Sequence, residues 1–212
     1  MKLYTYFRSS AAFRVRIALN LKGVGYESIP TQFLKNEHRS PQYLAMNPQG
    51  LVPALDVGNA VLSQTLAIIE YLEETLPTPP LLPPDALGRA RVRSMALSIA
   101  CDIHPLNNLR VLNYLRQQLA QDDNEVKEWC QHWIREGFRG IEVSARSYSS
   151  GGRFLYGDAV SMADVCLLPQ IFNARRVDLG LQEFPTLQAI GKHLESLPAF
   201  ANARPEVQPD AV

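Results

Sequence analysis

Hydrophobic and polar positions along the chain fall into two regimes, a short-period one at the start and a helical one after it. Lys2–Phe7 alternates weakly and is rich in aromatics, the pattern of a short strand. Ser9 and Ser10 follow as helix-capping residues, and Ala11–Lys22 reads as a helix with Gly23 as its stop. "FRVRIAL" alternates when taken alone, but the longer Ala- and Leu-bearing run around it favours helix. "YESIP" is a second strand. "PALDV" and "AVLS" read as a hairpin around Gly58–Asn59. "TLAIIEYLEETL" carries Leu66, Ile69, Tyr71 and Leu72 at helical spacing. The order strand–helix–strand, polar segment, hairpin–helix predicts an α/β unit.

"LPTPPLLPPD" holds five of the chain's 15 prolines. Such a stretch cannot continue a helix or enter a sheet centre, and it stiffens a linker. It marks a boundary between one domain over 1–80 and a second over 86–212. Everything beyond it reads as helix. Over 89–120 the apolar positions Val92, Met95, Ile99, Ile103, Leu106, Leu109, Leu112, Leu115 and Leu119 predict one helix with a single buried stripe, kinked at Pro105. "NEVKEWCQHWIREGFRGIEVSARSY" predicts a further helix that ends at Ser149–Gly152. "SMADVCLLPQIFNARRV" opens with Ser161 and Asp164 at capping-box spacing, and "TLQAIGKHLESL" closes the set. The expected fold class is therefore α/β plus all-α.

Composition narrows the function. The 212 residues suffice for two small domains with real cores. Hydrophobic content of 46%, charged content of 20%, and 21 Lys+Arg against 21 Asp+Glu are those of an ordinary globular protein. Neither nucleic acid nor an anionic membrane is an expected partner, because both call for a basic excess. No run is long and apolar enough for a transmembrane helix, and "MKLYTYFRSS" lacks the features of a signal peptide, so a cytoplasmic location is expected. Cys101, Cys130 and Cys166 are odd in number and far apart, so neither a disulfide framework nor a metal site is expected, and all three read as packing residues or inert thiols.

The chemistry concentrates at three turns of the first unit. In "YFRSSAAFRVRIAL" a strand feeds a helix N-terminus, where unpaired N–H groups and the helix dipole favour an anion. Ser9 and Ser10 add hydroxyl donors there, and Arg8 adds a forked cation suited to carboxylates. No dithiol is present, which excludes thioredoxin-type redox chemistry. "GLVPAL" places Pro53 at a strand start, where a proline is sometimes cis and Val52 before it would show its backbone in extended form. "LSQTLAII" sets Gln64 and Thr65 at another helix start. In the helical half, "CDIHPLNNLR" sits at the Pro105 kink. On a continuous helix His104 and Asn108 share a face, and Arg110 lies about 120° round from His104.

"YFRSSAAFRVRIALNLKGVGYE", "NPQGLVPAL", "LSQTLAIIEYLEETLP" and "SMADVCLLPQIFNARR" resemble the zeta-class glutathione transferases over nearly the whole chain. That class includes maleylacetoacetate isomerases and the bacterial glutathione-dependent maleylpyruvate isomerases of gentisate breakdown, and the resemblance is nearest the latter. It implies a thioredoxin-like N-terminal domain, an all-helical C-terminal domain, glutathione as cofactor, a small dicarboxylate substrate and a homodimer. One departure is that the zeta pattern usually reads Ser-Ser-Cys, and this chain has Ala11 at the third position.

The resemblance also implies roles. Val52, with Pro53 cis, pairs with the cysteinyl part of glutathione. Gln64 and Thr65 hold the γ-glutamyl end, and Gln49 reaches toward the glycyl end. Ser9 faces the sulfur, and Ser10 is then the N-cap. His104 and Asn108 add to the cofactor site. Arg8, Arg110 and Arg176 bind substrate, with Arg176 favoured over Arg175 as the inward member of its pair. The implied reaction is cis–trans isomerisation of maleylpyruvate. Maleylacetoacetate isomerisation, general glutathione conjugation or haloacid dechlorination, and a non-catalytic binding module are the alternatives.

Overall fold

The computed structural model describes residues 1–211, and the chain divides into two compact units. The first unit holds Met1–Pro80 together with the segment from Leu197 onward, and the second holds Leu81–Ser196.

In the first unit, Lys2–Thr5 forms β1, with Leu3 and Thr5 buried and Lys2 in solvent. Ser10–Leu21 forms α1, which Lys22 caps and Gly23 terminates in a left-handed conformation (φ 66°). Glu27–Pro30 forms β2, parallel to β1 with Leu3 opposite Ser28, so α1 is the crossover that such a pair requires. Pro41–Met46 forms α2, a short helix within the polar segment, capped by Ser40 and opened by Pro41. Ala54–Asp56 (β3) runs antiparallel to β1, and Val61–Ser63 (β4) returns along β3 through a turn at Gly58 (φ 97°). The sheet order is β2-β1-β3-β4, so Pro30 sits on an edge strand where no ladder donor is lost. Thr65–Thr75 forms α3, which packs on α1. Leu3, Ile17, Leu55, Ile68, Ile69 and Leu72 are fully buried, at roughly 1.5–3 kcal/mol of transfer free energy each.

Charges are buried here too. Lys22 Nζ lies 2.7 Å from Glu73 Oε2 and donates to the Pro79 carbonyl at 2.7 Å, tying the end of α1 to α3 and to the proline segment. Arg16 is fully buried on α1. Its Nε donates to the Ala203 carbonyl at 3.0 Å, and Asn20 Nδ2 donates to the Ala199 carbonyl at 2.9 Å. These bonds hold the segment from Leu197 on the first unit. The expected domain over 86–212 therefore differs from the observed division at its far end.

In the helical unit, Ala86–Leu97 (α4) starts under an Asp85 cap. It does not continue as the single kinked helix expected over 89–120. It widens into a π-helical stretch, Ser98–Ile103, tightens into a 3-10 turn, His104–Asn107, and stops at Asn108, whose ψ is 142°. Pro105 has no N–H for the ladder and its ring collides with the carbonyl four residues back, which ends the helix instead of bending it. Leu109–Gln118 then forms α5 as a separate helix. The stripe is interrupted at this break: Val92, Met95, Ile99 and Ile103 are buried, and Leu115 is buried on α5, whereas Leu109 and Leu119 are 50% and 53% exposed.

Asp123–Tyr148 (α6) is capped by an Asp122–Glu125 box and ends at Ser149. Gly137 on α6 permits close approach to the π-helical stretch, since a Cβ there would lie 2.2 Å from Ile103 Cδ1. Met162–Arg176 (α7) is the central helix, buried over most of its length. Pro185–Ser196 forms α8 and packs on α6 and α7. Pro198–Ala201, a single turn (α9), packs on α1 as part of the first unit. No helix among the described residues is long and apolar enough to cross a membrane.

Candidate functional site

Helix α1 begins where the sequence placed an anion site, with one change of role. Ser9 is the N-cap. Its backbone is extended (ψ 115°) and its Oγ accepts the Ala12 N–H at 3.2 Å. Ser10 is the first helical residue, so the expected assignment of the cap to Ser10 is corrected. A capping serine needs an extended backbone to turn its oxygen onto the first turn, and only Ser9 has one. The Ser9 hydroxyl hydrogen is not consumed by that bond and can be donated. Both serines are half-buried and Arg8 is exposed. No acidic residue lies in the first turn of α1.

The second helix start lies against the first. Thr65 is buried, and its Oγ1 reaches the Ala11 carbonyl at 3.5 Å, at the limit of a hydrogen bond. Gln64 has φ 67° and ψ 116°, a left-handed conformation that costs about 1–3 kcal/mol for a residue with a Cβ. Its exposed amide donates from Nε2 to Gln49 Oε1 at 2.7 Å, so two of the expected cofactor residues meet. This helix start also lacks an acidic residue.

The third turn is fixed from beneath by residues that sequence reasoning missed. The Leu51 carbonyl accepts from Tyr43 Oη at 2.6 Å and from Asn47 Nδ2 at 2.8 Å, and Asn47 Oδ1 accepts the Gln49 N–H at 3.3 Å. Asn47 is 3% exposed, and burial raises the Tyr43 phenol above its ordinary range although the Asn47 contact opposes this. Gly50 has φ 59°, and a Cβ there would meet Arg39 Nη1 at 2.9 Å and the His38 carbonyl at 3.0 Å. The Val52–Pro53 bond is cis and both residues are buried. The only local signal for the clamp is Asn47 at the end of α2, ahead of Pro48.

In the helical unit the expected residues are arranged differently from expectation. His104 opens the 3-10 turn, and Asn108 is the N-cap of α5, accepting the Arg110 N–H at 3.1 Å. The break between them means that His104 and Asn108 do not share one helical face, and the angular relation inferred for Arg110 lapses with it. Arg110 is exposed in the first turn of α5. The neighbouring Asn107 is buried and accepts from Gln170 Nε2 at 3.4 Å. Arg175 is engaged by Glu195 and lies over the Phe172 ring. Arg176 is exposed; burial raises the Cys130 thiol, and the hydrogen bond with Asn107 and the charges of Arg116 and Arg176 oppose this. Cys130 and Cys166 are buried, and Cys101 is exposed, so it is not a packing residue.

The first unit thus has two neutral helix starts in contact and an adjoining rigid loop. This donor set suits a peptide-like anion bearing carboxylate and thiolate groups. Residues 1–74 match the family model of the glutathione S-transferase N-terminal domain. The chain is 48% identical over 211 residues to a probable maleylacetoacetate isomerase of Vibrio cholerae, covering 99% of this chain and 97% of that protein. It is 47% identical over 211 residues to a maleylpyruvate isomerase of a Ralstonia species, with 100% of both chains covered. A solved holo structure of maleylpyruvate isomerase, described as a bacterial zeta-class transferase, superposes with a TM-score of 0.98 at 47% identity over 100% of both chains. The chain belongs to the zeta-class glutathione S-transferases. For a zeta-class transferase, the cofactor is glutathione, and the neutral starts of α1 and α3 fit a ligand with anionic groups at separate points. Ala11 leaves this zeta-class chain without a cysteine at the start of α1.

Proposed function

We propose that the protein is a glutathione-dependent isomerase that converts maleylpyruvate to fumarylpyruvate. The observation that carries this reading is the start of α1: a donor-rich, acid-free N-terminus with alanine where a protein thiol would stand. Bound glutathione supplies the thiol, whose reversible addition turns the cis double bond into a rotatable single bond and whose elimination returns the trans product. In this reading Ser9 donates its hydroxyl hydrogen to the sulfur, and the α1 dipole with Ser10 holds the thiol ionised at neutral pH. Val52 and Pro53 bind the cysteinyl backbone, Gln64 and Thr65 the γ-glutamyl end, and Gln49, His104 and Asn108 the remainder. Arg8, Arg110 and Arg176 neutralise the two substrate carboxylates and the charge that develops on the keto group.

A second reading, maleylacetoacetate isomerisation, is favoured by the 48% identity to the Vibrio cholerae protein. The two substrates differ at the keto-acid end, where an α-keto carboxylate suits a forked guanidinium such as that of Arg110. The proposal extends to a cytoplasmic homodimer acting in gentisate breakdown. The test is an absorbance assay of both substrates with and without glutathione. Negligible turnover in thiol-free buffer, restoration by catalytic glutathione and preference for maleylpyruvate are expected. Robust turnover without any thiol would refute the mechanism, and preference for maleylacetoacetate would select the second reading.

A further inference from the structure

The turn that presents Ser9 is held from the far end of the chain. Phe7 N–H donates to Asp210 Oδ2 at 2.9 Å, across 203 positions of sequence. The Phe7 carbonyl accepts from Arg16 Nη2 at 3.1 Å. Arg16 Nη1 donates to Thr5 Oγ1 at 3.0 Å and approaches the Tyr6 carbonyl at 3.5 Å, and its Nε bonds Ala203. The Tyr6 carbonyl also accepts the Ser9 N–H at 3.0 Å, which closes the turn. Both backbone groups of Phe7, two residues before the N-cap, are thus fixed by side chains outside the turn. One of those side chains belongs to the segment after Leu197, and the other is anchored by it.

The charges agree with the geometry. Burial lowers the Arg16 guanidinium to about 10, while Tyr26 and Asp210 act in the opposite direction. Asp210 therefore compensates a buried cation while it holds a backbone amide. Its other oxygen, Oδ1, is buried without a hydrogen-bond partner among the described residues, so Phe7 N–H is the bond that this carboxylate makes in the fold.

We propose that Asp210 is a positioning residue for the thiol site, acting through Phe7 on the turn that aims Ser9 and the α1 N-terminus. The idea rests on the glutathione-dependent reading of that site. Effective catalysis by positioned donors is steep in distance, and displacement on the ångström scale can lower a rate about 100-fold. Asparagine at 210 keeps an acceptor for Phe7 N–H, whereas alanine keeps none.

The test compares wild type, Asp210→Ala and Asp210→Asn, each well below its melting temperature. It reads turnover with glutathione, the thiolate absorbance of bound glutathione against pH, and hydrogen exchange of the Phe7 amide. Asp210→Ala is expected to lower kcat about 10- to 100-fold, to raise the pH at which thiolate forms and to speed Phe7 exchange. Asp210→Asn is expected to stay near wild type in all three. Equal losses of kcat in the two variants, or native kcat and thiolate titration in Asp210→Ala, would overturn the proposal. So would a Phe7 amide that exchanges freely in the folded wild type, a readout that needs no variant to fold. A wild type that neither binds nor uses glutathione would instead sink the functional reading, and the exchange data would still decide the clamp.

Discussion

In the helical unit α4, α6, α7 and α8 each start against a carboxylate, whereas none of α1, α2 and α3 in the first unit does. Asp85 caps α4, and Asp122 with Glu125 boxes α6. Asp164 sits in the first turn of α7, where Oδ1 accepts the Leu155 N–H and Oδ2 accepts the Ser161 N–H, both at 2.8 Å. Glu142 reaches from α6 to accept the Thr186 and Leu187 N–H groups of α8 at 3.1 and 2.9 Å. Ser9, Ser40 and Gln64 open the first unit's helices with neutral groups. A helix N-terminus carries about half a positive charge, and a resident carboxylate satisfies it. Serine therefore has two uses in one chain. Ser161 belongs to a buried box already filled by Asp164, whereas Ser9 caps a terminus whose affinity for an anion is left for a ligand. Helix α5 is the neutral exception in the helical unit, and its start carries Asn108 and Arg110.

Emptying a filled terminus gives the largest expected effect. Asp164→Ala orphans two buried N–H groups and should destabilise the fold by roughly 2–5 kcal/mol near pH 5, read by urea unfolding, with glutathione affinity unchanged. A loss of affinity instead would mean that the two classes of helix start are not separable.

Next comes the neutral exception. If Arg110 grips the keto-acid carboxylate, Arg110→Ala should lower kcat/KM for maleylpyruvate by roughly 30- to 1000-fold, or about 2–4 kcal/mol. Maleylacetoacetate should suffer far less. Equal losses on both substrates would remove the reason for preferring maleylpyruvate.

A smaller effect lies in pH. Burial pushes the Asp164 carboxyl up from 3.8 to about 6, against its hydrogen bonds. The fold thus binds the proton more tightly than the unfolded chain does, so stability from this group is fullest below about 4 and falls as pH rises through 6. The unfolding difference between wild type and Asp164→Ala should therefore shrink by roughly 1–3 kcal/mol between pH 4 and 7. Glu142 runs the other way. Burial raises its carboxyl, but the bonds from Thr186, Leu187 and Arg146 together hold it below its ordinary 4.5, so its contribution is lost in acid. A flat difference across this range would show that the Asp164 bonds offset its burial.

Much of this was legible because the signals are local. The β1–α1 junction, the hairpin at Gly58, the Ser161–Asp164 box and the end of α6 each announce themselves within a few residues. Helix α2 did not, because six residues are too few for a period to show. The break at Asn108 was hidden because Leu106, Leu109 and Leu112 keep helical spacing across it, while the missing N–H of Pro105 decided the backbone. The Tyr43 and Asn47 clamp on Leu51, and the reach of Asp210 to Phe7, depend on tertiary contacts that no local pattern encodes. The same holds for Arg14 and Arg16, which look like solvent-facing charges of an alternating run and are buried in α1.

The contrast between filled and open helix starts is tested most directly by titrating the thiolate absorbance of glutathione bound to wild type, Ser9→Ala and Ser10→Ala. A hydrogen bond to a charged acceptor contributes roughly 1.5–3 kcal/mol, so Ser9→Ala should raise the thiol pKa by about one to two units. Ser10→Ala should move it less. If Ser9→Ala leaves the titration in place, the open start of α1 is not what holds the thiolate; if Ser10→Ala alone moves it, the roles of the two serines are reversed.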